Sequence, residues 1–511
     1  MPQHLATAAL LAPGLLTLAA SIAGTRRGPK PALALSAVRA ASLAALVVAL
    51  AAAGAVLALG PSSAPLLGVG GLGVQVRLDA LSVTLLSLVS FVGVIVIQFS
   101  RSYLDGDPRQ GEFLSKLALT LAAVQALVMA GNLLHLGVAW VATSLCLQRL
   151  LVFHPHRRRA RVGGRKKMVV ARLADVALLG ALGILLGAYG TADIARIGAL
   201  ASERPADVTV AVVLLAVAAA LKSAQFPTHA WLPDVIETPT PVSALLHAGI
   251  INAGGFLILR FADVMALAET AGVLLIVVGG VTAIYGSLVA ATQTSVKASL
   301  AYSTIGQMGF MIFELGIGAY RIALLHLVAH SLYKAHAFLR SGSAVGARRP
   351  DRVRASGAAA ASAVSFSAAT AATAHLVGAP PALVALSATF ALGVAVLVLR
   401  ERAARPSAAG LARALGLGAL VTAAFVGVEA AMGLAFGASL PPPTDTASPA
   451  ALVAMGTVVI GFAAATALAL AAGARHPALE AAYVHLRNGL YVSTFFDRWV
   501  GATRRPKGAA R

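Results

Sequence analysis

The sequence predicts an all-α, polytopic membrane protein with about 15 transmembrane helices. Hydrophobic residues make up 59% of the 511 residues, and charged residues make up only 12%. Apolar runs of roughly 18 residues or more recur along nearly the whole chain, and each is long enough to cross a bilayer as a helix. The loops between these runs are short and are alternately rich and poor in Lys and Arg, which is typical of membrane topology signals.

The apolar runs define the predicted spans. The first run lacks the basic start of a signal peptide, so we assign it as a span. The predicted spans are 5–23, 38–60, 79–100, 113–131, 133–152, 168–190, 208–224, 241–263, 270–291, 299–318, 321–344, 355–377, 380–400, 411–436 and 450–473. No loop is long enough to fold as a soluble domain. No GxxxxGK[ST] motif is present, so an ion gradient or a partner must supply the energy for transport.

The basic residues predict the orientation of the chain. The net charge of +21 lies mostly in short loops, and this distribution does not indicate nucleic acid as a partner. The odd-numbered loops and the tail 475–511 are basic, most densely in the fifth loop, 154–167. By the positive-inside rule we expect a bacterial inner-membrane protein with its N-terminus outside and its C-terminus in the cytoplasm. The single cysteine, Cys146, leaves no disulfide framework and no Cys-based metal site.

The stretch LKSAQFPTHAWLPDVIETPTPVSALLHAG, residues 221–249, predicts a broken helix that carries an amine. An apolar run ends at Lys222, and the prolines after it interrupt the helical hydrogen-bond ladder: Pro227, Pro233, Pro239 and Pro241. Freed carbonyls and water can solvate an ammonium, and ionisable groups at this depth mark ion paths. Lys222 is therefore a candidate proton carrier; a lysine that snorkels to the interface is the alternative.

Two further segments carry basic groups in apolar surroundings. His247 lies among small residues that allow close packing or entry of water, so it is either a proton relay or a hydrogen-bonded core histidine. Span 11, RIALLHLVAHSLYKAHAFL, places His326, His330 and Lys334 along one helix face, with His336 off that face. A proton wire is the favoured interpretation. The alternatives are a structural polar seam and a zinc site at the first two histidines, which neither an HExxH motif nor a nearby carboxylate supports.

Acidic partners for these groups are few. Asp175 follows Arg172 by three residues, so it forms either a local ion pair or a counter-ion for Lys222. We expect Asp234 and Glu237, which flank the break, to be solvated or capping groups. We expect Glu314, at the end of span 10, to be interfacial.

At these residues the chain resembles the antiporter-like membrane subunits of respiratory complex I and of multisubunit cation/proton antiporters. The matching stretches are residues 221–249, SVKASLAYSTIGQMGF and HLVAHSLYKAHAFL, and the resemblance covers at least residues 113–345. It implies a broken-helix lysine, a neighbouring histidine and a His/Lys wire, which fall on Lys222, His247, His330 and Lys334. It also implies two inverted five-helix repeats. The expected units are 1–112 (N-terminal helices), 113–265 and 266–400 (the repeats), 401–474 (C-terminal helices) and 475–511 (tail).

Two departures from that family stand out. The family usually has a tryptophan–glutamate pair on the fifth span, whose carboxylate partners the lysine; here the segment reads AWVATSLCLQ, with Val141 at the glutamate position. The second repeat usually carries another lysine or glutamate on its broken helix. None lies between residues 355 and 399, where His375 is the titratable group.

With these departures the chain is most similar to the membrane subunit of the two-component inorganic-carbon (DAB) transporters. The 38 residues after Gly473 would form at most about 57 Å of helix, less than the lateral helix of the large complex I subunit. The resemblance implies a DabA-type partner, a large carbonic-anhydrase-like zinc subunit on the cytoplasmic side. Hydration of carbon dioxide needs a metal-bound hydroxide. Because this chain offers no plausible zinc site, we expect no cofactor in it and zinc in the partner.

We therefore expect an ion-translocating coupling subunit and not an enzyme. Protons, or Na⁺, would pass through the Lys222 to Lys334 line and drive uptake of inorganic carbon. Segments 154–167 and 475–511 are expected to dock the partner, or else to act as topology signals that contact anionic lipid. The alternatives are a proton-pumping or cation/proton antiporter subunit of a respiratory assembly, and a structural membrane anchor without transport.

Overall fold

The computed structural model describes residues 2–26, 28, 31–343, 357–404, 407–437, 439–443, 446–471 and 477–499. Within these ranges the chain is almost entirely helical. Twelve helices of the described part are long and apolar enough to cross a membrane, judged by length and composition. The predicted all-α, polytopic class is confirmed.

The α-helices follow the predicted spans closely. The first nine are α1 (Pro2–Ala8), α2 (Leu11–Gly24), α3 (Ala32–Leu59), α4 (Ala80–Tyr103), α5 (Gln110–Val128), α6 (Leu133–Leu151), α7 (Arg158–Tyr189), α8 (Ile194–Glu203) and α9 (Thr209–Lys222). The broken region contains α10 (Trp231–Asp234), α11 (Thr240–Leu245), α12 (Ala253–Arg260) and α13 (Ala262–Met265). The rest are α14 (Glu269–Thr292), α15 (Val296–Gly316), α16 (Tyr320–Leu339), α17 (Gly357–Leu376), α18 (Pro381–Ala404), α19 (Ala408–Phe436), α20 (Pro449–Ala471), α21 (Pro477–Arg487) and α22 (Val492–Trp499).

The fifth predicted loop is where the helix bounds differ most. Most of segment 154–167 is helical, because α7 begins at Arg158 and runs for 32 residues. Gly163 and Gly164 let this added part of α7 pack tightly, since a Cβ at either position would come within 3.0 Å of a neighbouring side chain. Lys166 and Lys167 are consequently buried and do not belong to a loop. The predicted basic residues within 344–356, 472–476 and 500–511 lie outside the described residues.

Glycines set the closest helix pair, α14 against α15. A Cβ on Gly286 would lie 2.3 Å from the backbone nitrogen of Gly306, and a Cβ on Gly279 would lie 2.7 Å from the carbonyl oxygen of Gly309. Only glycine allows backbones to approach so closely, as in other membrane helix pairs with small residues at the contact. This contact fixes α15, which carries part of the site described below.

One end of the helix bundle, called here the basic end, holds the turn after α6 and the C-terminal helices α21 and α22. Lys166 is fully buried there, and its Nζ lies 2.6 Å from carboxylate oxygens of both Asp234 and Asp497. Lys166 also donates to the hydroxyl of Ser493 at 2.9 Å. Asp234 therefore forms an ion pair and is not simply a solvated group. The amine joins α7, the broken region and α22.

The other end, called here the opposite end, is closed by polar contacts between loops and helix ends. Short antiparallel strand pairs lie there: β1 (Ser62–Ser63) with β4 (Arg77–Leu78), and β2 (Leu67–Val69) with β3 (Leu72–Val74). Arg260, at the end of α12, donates to Asp79 at 2.6 Å and to the hydroxyl of Ser82 at 2.7 Å. Burial by itself raises the pKa of Asp79, which precedes α4, but Arg260 and Arg77 together lower it to about 2.

Candidate functional site

The helix break places Lys222 deep in the bundle. α9 ends at Lys222, and Ala224 takes a left-handed conformation with φ of +50°, so the helix cannot continue. Gly254 allows α12 to pack against this end, because a Cβ there would lie 2.3 Å from the carbonyl oxygen of Ala219. Backbone packing therefore holds Lys222 in a buried position.

The other parts of the break lie where the sequence predicts them. Pro227 precedes a 3₁₀ turn, Pro233 lies in α10, Pro239 caps α11, and Pro241 lies in its first turn. The chain between α9 and α11 thus consists of one-turn pieces instead of a continuous helix.

Neutral groups hold the Lys222 ammonium. Its Nζ donates to the Ser144 hydroxyl at 3.0 Å and lies 3.4 Å from the Trp140 carbonyl oxygen. The Trp140 ring centroid is 4.1 Å from the same nitrogen, at cation–π distance. Trp140 and Ser144 are one turn apart on α6, so a single helix face supplies all of these contacts.

No ion pair joins Lys222 to a carboxylate among the described residues. Asp175 binds the Nη2 of Arg172 at 2.7 Å, which is the local i, i+3 pair that the sequence left open as one alternative. Val141, at the position where relatives carry glutamate, packs against the apolar core. The absence of a paired carboxylate is therefore a property of this site and not only of its sequence motif.

Lys167 extends the site towards the basic end, which sequence reasoning missed. Its Nζ donates to the Ser144 carbonyl oxygen at 2.6 Å, so Ser144 accepts from Lys167 and from Lys222. Both amines line a cavity of ≈ 20 Å³, which has room for about one water. Lys167 stands in a run of basic residues that is typical of a loop, so the sequence offered no signal for its burial.

His247 lies in a π-helical turn, Leu246–Ile250, between α11 and α12. Such turns are rare and occur often at functional sites. The imidazole stacks on Phe338 of α16 with centroids 4.2 Å apart, and its buried Nδ1 has no hydrogen-bond partner among the described residues. Leu246, the preceding residue, lines the Lys222 cavity. The π turn thus lies between Lys222 and α16.

In the basic stripe of α16, His330 and Lys334 are buried and His326 is half-buried. Lys334 is fully buried, and its Nζ donates to the Leu300 carbonyl oxygen at 3.1 Å and to the Ser303 hydroxyl. His330 is buried, and its Nε2 has no partner in the part of the chain that the structure describes. His336 is exposed, off the stripe.

His326, the next residue of the stripe, contacts a carboxylate. Its Nδ1 lies 2.8 Å from Glu314 Oε2, and its Nε2 lies 2.8 Å from Gln307 Oε1. Glu314, expected to be interfacial, lies in the last turn of α15, and its side chain is only 3% exposed. His375, at the end of α17, is exposed and separate from these groups. In the described ranges no three His, Cys, Asp or Glu side chains are grouped so that they could hold a metal ion.

Two models of known protein families match the segments of the chain that contain this site. A family model described as NADH:quinone oxidoreductase/Mrp antiporter, transmembrane, matches residues 130–400. A second, described as NADH-ubiquinone oxidoreductase (complex I), chain 5 N-terminus, matches residues 68–114. Together they cover the break, the π turn and the stripe on α16.

Curated relatives come from two groups. A probable inorganic carbon transporter subunit DabB from Hydrogenovibrio crunogenus is 45% identical over 277 residues, which are 53% of this chain and 54% of that protein. An NADH-quinone oxidoreductase subunit L from Mycobacterium tuberculosis is 36% identical over 321 residues, 61% of this chain and 51% of that protein. The match thus spans about half the length of each of these relatives.

A solved structure shares the fold. A chain in the Mrp complex from Dietzia sp. DQ12-45-1b superposes with a TM-score of 0.67 and 24% identity, covering 98% of this chain and 61% of that one. At that identity the likeness shows the fold alone.

Proposed function

Because this chain belongs to the NADH:quinone oxidoreductase/Mrp antiporter membrane-subunit family, we propose that it conducts protons, or Na⁺, across the membrane. The path runs through Lys222, His247, Lys334 and His330. The observation that carries this proposal is their burial in one connected region, in which neutral oxygens and rings hold the amines. Ionisable groups inside a membrane protein are costly to bury and are functional by default.

The lack of a paired carboxylate at Lys222, among the described residues, is consistent with a role as a proton carrier. An amine in a buried ion pair cannot lose its proton without leaving a carboxylate unpaired, which is strongly unfavourable. Lys222 has Ser144, which can donate or accept, and the face of Trp140. It can therefore release and regain a proton while its surroundings stay satisfied. Lys334, held by Leu300 and Ser303, has the same kind of surroundings.

Identity to DabB-type subunits supports inorganic-carbon uptake as the process that the ion flow drives. In this proposal a partner subunit hydrates carbon dioxide at its own zinc, and ion movement through this chain makes that reaction directional. The partner docks at the basic end, taken as cytoplasmic. Exposed arginines at the start of α7 and exposed Phe495 and Trp499 on α22 lie on that side.

A respiratory role is the second candidate. Identity to subunit L of NADH-quinone oxidoreductase favours it. In that case the same path serves a proton pump or a cation/proton antiporter. A structural anchor is the third, favoured only by Val141 at the glutamate position.

The proposal is tested in a strain whose growth at low carbon dioxide depends on this protein. We expect Lys222→Ala to reduce uptake of inorganic carbon to the level of the deletion strain. Lys116→Ala is the matched control, because it removes a lysine that lies outside the proposed path and contacts Glu112 and the Phe153 ring. Uptake that persists in Lys222→Ala, at equal membrane abundance, would exclude the coupling role.

Co-purification from membranes separates the first two candidates. We expect a large zinc-containing partner, detected by mass spectrometry and metal analysis of the complex. Recovery with quinone-reductase subunits instead would favour the respiratory role, and recovery of this chain alone would remove the support for a partner.

A further inference from the structure

The structure contains a buried carboxylate that the path described above does not use. Glu314 lies in the last turn of α15, and within the described ranges its ion-pair partner is His326, at 2.8 Å. A buried acid is costly unless it is paired or functional. Its position next to the basic stripe of α16 connects it to the proposed path.

Gln307 contacts the other ring nitrogen of His326 and so bears on where the protons of the His326–Glu314 pair lie. Its side-chain oxygen faces His326 Nε2 at 2.8 Å, and an amide oxygen only accepts, so with the amide in this orientation Nε2 carries the proton. His326 Nδ1 then faces the carboxylate. A bare nitrogen and a carboxylate oxygen at 2.8 Å are both acceptors and repel, so the pair holds one proton, either as the carboxylic acid or as imidazolium. It can therefore store a proton and pass it on.

The titratable residues of α16 lie at successive depths towards the opposite end of the bundle. From the start of α16 at Tyr320, the helical rise of 1.5 Å per residue puts Lys334 about 21 Å deep, His330 about 15 Å and His326 about 9 Å. Glu314 is only about 3 Å from the end of α15. The rings of His330 and His326 have centroids 6.1 Å apart, a gap that one water can bridge.

Space for water lies next to the carboxylate. Glu314 and Thr389 are the polar residues that line a cavity of ≈ 310 Å³ between α15, α16, α18 and α19. By size alone this volume is large enough for several waters. The other lining residues are apolar, so the carboxylate is the group at which water would be retained.

We propose that Glu314 is the outlet of the proton path at the opposite end, and that His326 passes protons between it and His330. This inference rests on the proposed function. In each step one N–H or O–H bond breaks and another forms, and no electrons are transferred. The acid form of Glu314 gives its proton to water near the end of α15. A proton from His330, carried by bridging water, then binds the bare His326 Nδ1, and the carboxylate takes that proton from Nδ1, which restores both groups. Glu314 thus supplies the titratable group that residues 355–399 lack.

Proton flux in liposomes tests the outlet. The full-length protein, with any partner that co-purifies, is reconstituted, and flux is measured with a pH-sensitive dye under an imposed gradient. We expect Glu314→Gln to lower the flux by about 10²-fold. Glu269→Gln is the matched control, because Glu269 is an exposed carboxylate at the same end, in the first turn of α14. It is expected to leave flux unchanged.

The outcomes separate the two proposals. Normal flux in Glu314→Gln, with flux lost in Lys222→Ala, would overturn the outlet and leave the path through Lys222 intact. Flux that Lys222→Ala leaves unchanged would overturn the proposed function itself.

A second measurement distinguishes an outlet from a structural acid. pH-difference infrared spectra of the wild type should contain a carboxyl C=O band that Glu314→Gln lacks and Glu269→Gln retains. Glu314→Asp, which keeps the carboxyl group, should recover part of the flux. Absence of the band, or Gln and Asp variants equally inactive and equally destabilised, would overturn the assignment.

Discussion

Lys222 shows how a single residue can be stabilised in a membrane without being neutralised. The Ser144 hydroxyl and the Trp140 ring surround its ammonium, and Asp175 is occupied by Arg172. Hydrogen bonds to charged groups contribute about 1.5–3 kcal/mol each, and a cation–π contact about 0.5–2 kcal/mol. In the proposed path these neutral contacts take the place of an ion pair and leave the amine free to exchange its proton.

Ser144→Ala tests this arrangement directly. Loss of the hydroxyl leaves the Lys222 amine short of an acceptor, so we expect proton flux to fall by about tenfold, from a cost of about 1–3 kcal/mol. The control is Thr143→Val, whose hydroxyl bonds only the Ala139 carbonyl oxygen. Equal flux in both variants would mean that Ser144 does not serve Lys222.

Asp79 makes a pH-dependent contribution at the opposite end. Its folded pKa of about 2 lies below the ordinary aspartate value of 3.8, which corresponds to about 2 kcal/mol of stability. Because the folded pKa is depressed, this stability is fully present above about pH 4 and is lost as the pH falls towards 2. We expect the melting-temperature difference between wild type and Asp79→Asn to stay constant from pH 5 to 7 and to shrink below about pH 4. A constant difference at all pH values would contradict the ion pair with Arg260.

At the scale of elements, one buried amine ties α22 to two other parts of the bundle. Lys166 binds Asp497 and Ser493 of α22 and also Asp234 of the broken region. Tyr285 and Gln293, at the same end of α14, donate to carbonyl oxygens of Gly489 and Arg487 just before α22. The C-terminal helices therefore cover the side from which Lys167 and Lys222 would be reached.

Asp497→Asn should loosen this cover. Weakening one side of a buried ion pair favours local opening, so we expect faster hydrogen exchange of the amides in residues 489–499. Arg498→Ala, at an exposed position of the same helix, should not change the exchange rates. Equal protection in both variants would show that other contacts hold α22.

The α14–α15 contact predicts a glycine-specific cost. Gly286→Ala places a methyl group 2.3 Å from the Gly306 nitrogen, so the helices must separate, at a cost of about 1–3 kcal/mol. Gly456→Ala in α20, where a Cβ meets nothing within 4 Å, is the control. We expect a lower melting temperature only for Gly286→Ala, and equal values would contradict the close approach.

The helices could be predicted from the sequence where a long apolar run defines them. The end of α9 at Lys222 and the proline-rich break followed from helix rules. The start of α7 could not be predicted, because a run of basic residues is typical of a loop. In the fold, tertiary ion pairs and hydrogen bonds bury Lys166 and Lys167 instead. The π turn at His247 has no signal in residue type, since it results from packing between α9 and α16.

At the scale of the whole molecule, motifs in the sequence identified the site residues on each helix. The contacts between residues of different helices could not be predicted from the sequence. The stripe on α16 follows from helical spacing, so its burial was predictable. The burial of Glu314 could not be predicted from its place near a helix end, because residues of α16, α18 and α19 enclose it only in the fold. The role of Ser144, which joins Lys167 to Lys222, depends on how α6, α7 and α9 meet.

The folded molecule thus joins the two ends of the bundle by buried groups. Lys166 and Lys167 lie at the basic end, Lys222, His247, Lys334 and His330 follow, and His326 with Glu314 reaches the opposite end. A structural anchor would have no need for such a series, because each buried ionisable group is costly.

Proton flux through the purified full-length protein in liposomes, under an imposed pH gradient, tests this account most directly. The account predicts flux in the wild type and in Lys116→Ala, and its loss in Lys222→Ala and in Lys334→Ala at equal protein content. Flux that is equal in all four proteins would contradict a path through the buried amines.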